Sequence, residues 1–364
     1  MRADGLEGIV VADTRLSHID GEAGRLVVAG YDVEDLAGRV PFEGVCGLLW
    51  GGSLPSPEEN DDLSRSLGAA RLSAFEQIAR LGDALTLPDP MAALRASMAH
   101  LRPGDADVRV QLTAAVAVFT AAWARGAKGL DPVRPRPELS HAADTLRMLT
   151  GKESDAVRVR ALDTYLVTVA DHGMNASTFT ARVVASTESD PVSVVVAALG
   201  ALKGRLHGGA PGPVGEMLDE IGTPDEAYAW LERELGAGRR IMGLGHRVYR
   251  VRDPRAAVLE RAVEELRAAG VAQDRLALAR AVERAAVDVL RDRHPDRPLD
   301  VNVEFYTAVL LDAIGLPRPL FTPTFATARV AGWLAHAEEQ QREGRLIRPR
   351  CRYVGPQPSA AAGD

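Results

Sequence analysis

Six prolines in this chain each follow a residue that caps helices well: Ser56-Pro57, Asp89-Pro90, Asp190-Pro191, Thr223-Pro224, Asp253-Pro254 and Thr322-Pro323. Inside a helix, proline lacks the N–H and clashes with the preceding turn. In the first turn that N–H would be unpaired anyway. A Ser, Thr or Asp just before it accepts from one of the free N–H groups. Each pair therefore predicts a helix start. Ser56…Glu59 and Thr223…Glu226 add the spacing of a capping box.

Apolar spacing agrees. Ala161, Leu162, Tyr165, Leu166, Val169 and Ala170 make one stripe at helical period. Similar stripes run through 108–124, 190–203, 255–269, 275–291, 301–314 and 323–342, the last stopping at Gly344. The β signal is small: Ile9 to Asp13 and Arg25 to Ala29 flank Ile19-Asp20-Gly21-Glu22, which predicts an N-terminal hairpin. Nothing alternates strand and helix as a parallel sheet requires. The expected fold is all-α. Segment 126–139 reads as the main internal loop, and 357–364 as a mobile tail.

At 364 residues, with 46% hydrophobic and 26% charged residues, the chain is an ordinary globular protein with a soft expectation of about two domains. The formal charge of −7 argues against a nucleic-acid binder. Cys46 and Cys351 are too few and too far apart for a disulfide framework or a zinc cluster, and a reducing cytoplasm is expected. The longest apolar runs, Leu112 to Ala124 and Val192 to Leu202, fall short of the ~20 residues a membrane-spanning helix needs, and the start of the chain has no signal-peptide pattern. Of 43 basic residues only Lys128, Lys152 and Lys203 are lysine. Coding bias explains most such arginines, but arginine also binds carboxylate or phosphate as a flat bidentate fork, which lysine does not. Position has to separate the two.

There is no Walker phosphate loop, no dinucleotide glycine fingerprint and no G-x-S-x-G. The histidines never show i, i+4 spacing, so no metal is expected. Lys203 reads as a solvated or structural lysine rather than a Schiff-base former. Three histidine neighbourhoods carry more: Asp171-His172 with Asn175 and Ser177, the turn His207-Gly208-Gly209-Ala210, and Gly243-Leu244-Gly245-His246-Arg247 through Arg250 to Asp253-Pro254-Arg255. Glycine beside histidine lets backbone approach a ligand closely.

These segments, followed by Asn302-Val303-Glu304-Phe305-Tyr306, the stretch from Phe325 through Ala328-Arg329 to Trp333, and Ile347-Arg348-Pro349-Arg350, occur in the order of citrate synthases. Gly5 to Gly8 and Gly30-Tyr31-Asp32 also resemble that family. The likeness runs from about residue 5 to 355 and is to the shorter prokaryotic citrate and 2-methylcitrate synthases.

The resemblance implies an enzyme that condenses acetyl-CoA with oxaloacetate and hydrolyses the thioester, without a cofactor. It implies Glu304 as the base that takes the methyl proton, His207 as donor to the thioester oxygen and His246 as donor to the oxaloacetate ketone. His172, Arg255, Arg329 and Arg348 would hold carboxylates, with Arg348 reaching across a homodimer. Arg250 and Arg297 would meet CoA. It further implies a large helical domain from 1–207 and 312–364, with a smaller one inserted at 208–311, closing over the substrates. Two features depart from the family pattern. Glutamate stands at 304 where aspartate is usual, one methylene longer. Pro211-Gly212-Pro213 follows the His-Gly-Gly-Ala turn and is expected to delay the next helix to about Val214. Two other readings remain open at this point: a 2-methylcitrate synthase using propionyl-CoA, and a non-catalytic paralogue that binds a dicarboxylate or acyl-CoA.

Overall fold

A computed structural model describes residues 4–6, 8–208, 211–246, 248–271, 275–293 and 299–356. Gly209, Ala210, Arg247, Arg297 and the 357–364 tail lie outside the described residues. The described chain contains fifteen α-helices. They are α1 Val33–Leu36, α2 Phe42–Gly51, α3 Pro57–Gln77, α4 Pro90–His100, α5 Val108–Gly126, α6 His141–Thr150, α7 Ala156–Val169 and α8 Ala176–Ala185. There follow α9 Pro191–Leu202, α10 Pro211–Ile221, α11 Ala227–Gly236, α12 Pro254–Ala268, α13 Arg275–Arg293, α14 Val303–Ala313 and α15 Phe321–Glu343. No described helix is long and apolar enough to cross a membrane.

The cap residues behave as the sequence suggests at four of the six prolines. Ser56 forms a full capping box with Glu59, and Asp89, Asp190 and Asp253 each accept a backbone N–H of the following turn. Two sites differ. Thr223 makes no side-chain cap bond, and a 3-10 turn at Pro224–Glu226 precedes α11. Thr322 lies inside α15, because the 3-10 turn Arg318–Leu320 already winds the chain before it. Its hydroxyl instead donates to the Gly208 carbonyl at 2.7 Å, tying α15 to the His207 turn. The delayed start of α10 is also corrected. The helix begins at Pro211, since both prolines fall in a first turn that needs no N–H from them.

The hairpin exists with a different first strand. β1 Ser17–Asp20 pairs antiparallel with β2 Arg25–Val28, which pairs with β3 Tyr31–Asp32. Asp20 closes the turn by accepting from the Glu22 and Ala23 N–H groups. Ile9 and Val10 form no strand and are exposed.

α5 and α15 form the centre of the fold. Every residue from Val110 to Ala124 is buried, as in a helix packed on all sides. α5 lies against α3, α4, α6 and α15, and α15 also packs on α7, α8 and α9. α10 to α14 pack among themselves, with α12 also seated on α7. Some arginines are structural within this core: Arg71, wholly buried, donates to Asp144 at 2.8 Å, and Asp144 also holds Arg147.

Candidate active site

Five segments meet at one place: the α7–α8 turn, the α9–α10 turn, the loop before α12, the first turn of α14, and α15. His172, His207, His246, Arg255, Glu304 and Arg329 come together there. Neighbouring charge shows it. The nearly buried His172 is held well below its ordinary 6.5 by burial first, then by Arg255, Arg329, His246 and His207.

The loop carrying His246 is stitched to the segment before α14. Gly245 N–H donates to the Asp300 carbonyl at 2.8 Å, and Asn302 N–H donates to the Gly243 carbonyl at 3.0 Å. The Asn302 amide donates to the Gly245 carbonyl at 2.9 Å, while its oxygen caps α14 through the Glu304 N–H at 3.1 Å. His246 and Glu304 are therefore set by one local frame. Gly243 and Gly245 have φ of 77° and 75°, left-handed backbone that other residues resist. A Cβ on Gly245 would also stand 2.9 Å from Leu299.

Proton positions follow from the hydrogen bonds. The His246 Nδ1 accepts from the Val248 and Tyr249 N–H groups at 3.0 and 3.1 Å. Burial, with Arg255 adding to it, lowers His246 to about 4, so it is neutral at pH 7. A neutral imidazole whose Nδ1 accepts carries its proton on Nε2, which is left free to donate. The His246 ring lies 5.5 Å from that of His172 and 4.7 Å from that of Tyr249. The buried Tyr249 hydroxyl is 3.2 Å from His172 Nε2.

His207 is lowered to about 4 by burial and then by Arg329. Its Nε2 is 2.7 Å from the Ser177 hydroxyl. Asn175, the α8 cap, already accepts two backbone N–H groups on its oxygen, from Ser177 and Thr178. The Ser177 hydroxyl lies within reach of both, 2.8 Å from the Asn175 oxygen and 2.7 Å from His207 Nε2.

The cations and the carboxylate complete the cluster. Arg255 is 3% exposed and bidentate on Asp253, through Nε at 3.0 Å and Nη2 at 2.7 Å. Burial works against its charge, but Asp253 keeps it above its ordinary value. Arg329 is 1% exposed. It donates from Nε to the Val169 carbonyl at 2.7 Å, stacks on Phe325 at 4.6 Å, and leaves Nη2 buried without a partner among the described residues. Burial brings it to about 10, opposed by Asp171. A buried guanidinium with no bonded carboxylate suits an anionic ligand. Glu304 is half-buried, and its carboxylate forms no hydrogen bond to another described residue. Burial raises it above 4.5, against the pull of Arg255 and Arg329.

Two predicted residues stand apart. Arg348 is exposed in the segment after α15. Arg250 is exposed, and its backbone N–H donates to the Gly21 carbonyl at 2.9 Å. The sequence marks Asp253 only as a helix cap and gives Tyr249 no role, although both stand within the motif around His246. Its motifs hold Ser177 and Trp333 with no sign that the two meet.

Comparisons with known proteins match nearly the whole chain. The citrate synthase C-terminal domain family matches residues 5–350. A citrate synthase of Haloferax volcanii is 41% identical, across 96% of this chain and 95% of its own length. The chain belongs to the citrate synthase family. It is accordingly an acyl-transferring, condensing enzyme. A protein named putative citrate synthase 2 of Mycobacterium tuberculosis is 40% identical, covering 97% of this chain and 93% of its own. The citrate synthase structure from Pyrobaculum aerophilum superposes with a TM-score of 0.88 at 36% identity, covering 99% and 94% of the two chains. That from Thermoplasma acidophilum, a ternary complex with carboxymethyl coenzyme A and oxaloacetate, gives 0.86 at 30% identity, covering 100% and 98%.

Proposed function

We propose that this enzyme is a citrate synthase, condensing acetyl-CoA with oxaloacetate and hydrolysing the citryl thioester to citrate and CoA. One observation carries the reading: two imidazoles that burial keeps neutral stand with a carboxylate bonded to no other described residue and a buried guanidinium whose Nη2 has no partner among the described residues. Arg255, Arg329 and His172 hold the oxaloacetate carboxylates, and His246 Nε2–H polarises the ketone. Glu304 takes a methyl proton from acetyl-CoA as His207 Nδ1–H donates to the developing enolate oxygen. The nucleophilic carbon then attacks the ketone, and water hydrolyses the thioester. A positioned base contributes ~10²–10⁴-fold, and each preorganised donor ~10²–10³-fold. Glu304 suits the task because burial has raised it toward the operating pH. No cofactor enters this scheme.

The 208–311 segment serves as the smaller domain, closing over oxaloacetate before acetyl-CoA binds, so that the thioester is kept from water. Arg250 and Arg297 meet CoA. Arg348, exposed in its own chain, completes the site of a second copy. Mixing Arg348→Ala and Glu304→Gln proteins tests this by subunit exchange. Half of random symmetric dimers are mixed, each with one intact site, so activity returns to about a quarter of wild type. No recovery, with exchange verified by mass, contradicts the cross-subunit role.

The relatives' names favour acetyl-CoA over propionyl-CoA. Thiol release with each thioester in saturating oxaloacetate tests the choice. Acetyl-CoA is expected to have the higher kcat/KM by at least ~10-fold, the scale of one methylene in a pocket. A preference for propionyl-CoA makes the enzyme a 2-methylcitrate synthase.

A further inference from the structure

We propose that Trp333 is a positioning residue for His207, acting through the Ser177 hydroxyl to set which ring nitrogen carries the proton. Trp333 is wholly buried on α15, one turn beyond Arg329, and its Nε1–H donates to Ser177 Oγ at 3.1 Å. Ser177 Oγ in turn lies 2.7 Å from His207 Nε2. An indole N–H can only donate, so the direction of the first link is fixed.

Ser177 has one proton and two possible acceptors: His207 Nε2, and Asn175 Oδ1 at 2.8 Å. If the proton goes to Asn175, His207 Nε2 must donate to Ser177, and His207 Nδ1 is left as an acceptor, unable to stabilise an enolate oxygen. Asn175 cannot turn its amide to prevent this. Its nitrogen is engaged with the His172 and Gly173 carbonyls and the Thr178 hydroxyl. Its oxygen already serves two backbone N–H groups at 3.1 Å each. Donation from Trp333 takes one Ser177 lone pair, so a His207 Nε2–H would be a second donor crowding the same oxygen. It also strengthens the Ser177 O–H toward the better of its two acceptors, a bare imidazole nitrogen rather than an amide oxygen already serving two donors. The result is a one-way relay, Trp333 N–H to Ser177 O–H to His207 Nε2, ending with Nδ1–H turned to the reacting oxygen.

The catalytic consequence rests on the reading of His207 as the enolate donor, whereas the tautomer does not. The full-length protein is therefore labelled with ¹⁵N-histidine and compared as wild type, Trp333→Phe, Ser177→Ala and the double variant. The wild-type His207 signals should show Nδ1 protonated and Nε2 bare. Trp333→Phe should give a mixed pattern and lower kcat roughly 10-fold, as lost partners of a functional group do, with KM for oxaloacetate unchanged. In the Ser177→Ala background the same change should cost less than about 2-fold, because the relay is already cut. A wild-type His207 protonated on Nε2 overturns the proposal, even if no variant folds. An equal loss in both backgrounds also overturns it, because Trp333 then acts only through packing. If wild type releases no thiol, the reading of function fails while the ¹⁵N comparison still decides the role of Trp333.

Discussion

Glu304→Gln is expected to lower the rate of thiol release at least ~100-fold, with oxaloacetate affinity within about 2-fold of wild type. The substitution keeps the side chain's shape and removes only its capacity to take a proton. Glu304 is held at the start of α14 by the Asn302 cap, and its carboxylate is tied to no other described residue. Losing its charge leaves the fold intact. Arg255 and Arg329 keep their anchors on Asp253 and the Val169 carbonyl. The pH profile carries the same signature. A base acts when deprotonated, so kcat/KM should fall as pH drops through the Glu304 value. Burial places that value above 4.5, whereas His207 and His246, near 4, are still neutral there. An equally active Gln variant would remove Glu304 from the chemistry.

Asp253→Ala is expected to cost about 3–5 kcal/mol of stability, the scale for stranding one member of a buried ion pair. One carboxylate accepts four hydrogen bonds. It caps α12 through the Arg255 N–H at 3.0 Å, grips the Arg255 guanidinium at two points, and accepts the Val303 N–H at 3.2 Å where α14 begins. Alanine leaves a buried cation without its counter-charge and frees the start of the helix that bears Glu304. Urea unfolding should show a lower midpoint with an unchanged slope. Oxaloacetate binding should weaken at the same time, because Arg255 loses the carboxylate that aims it. A loss below ~1 kcal/mol would mean that the pair is not a structural hub.

Much of the architecture was readable before any coordinates. α5, α7, α9, α12, α13, α14 and α15 follow from apolar period, because a helix in a core must present its apolar residues at that spacing. Four cap–proline pairs are helix starts for local steric reasons. Thr322 misled because the chain already winds at Arg318–Leu320, where Pro319 suits a first turn and α10 packs against it. Ile9 to Asp13 misled because β2 takes its partner from the chain reversed at Gly21, and the polar Ser17–Asp20 is what stands there.

The site divides in the same way. His172, His207, His246, Arg255, Glu304 and Arg329 were legible as motif residues. The links among them were not. Ser177 meets Trp333 from 156 positions away, and His172 meets Tyr249 from 77, separations that no local pattern carries. The arginine surplus now separates as well: Arg255 and Arg329 are buried at the site, Arg71 and Arg147 serve a buried carboxylate in the core, and Arg65, Arg134 and Arg158 lie on the surface.

The most direct measurement follows the new carbon–carbon bond. Purified enzyme is given acetyl-CoA labelled with ¹³C at the methyl carbon, together with oxaloacetate, and the products are read by ¹³C NMR beside a thiol assay. One molecule of citrate carrying the label in a methylene should appear for each CoA released, and none without oxaloacetate. Thiol release that yields labelled acetate, or that proceeds equally without oxaloacetate, would show a thioesterase instead and contradict the assignment.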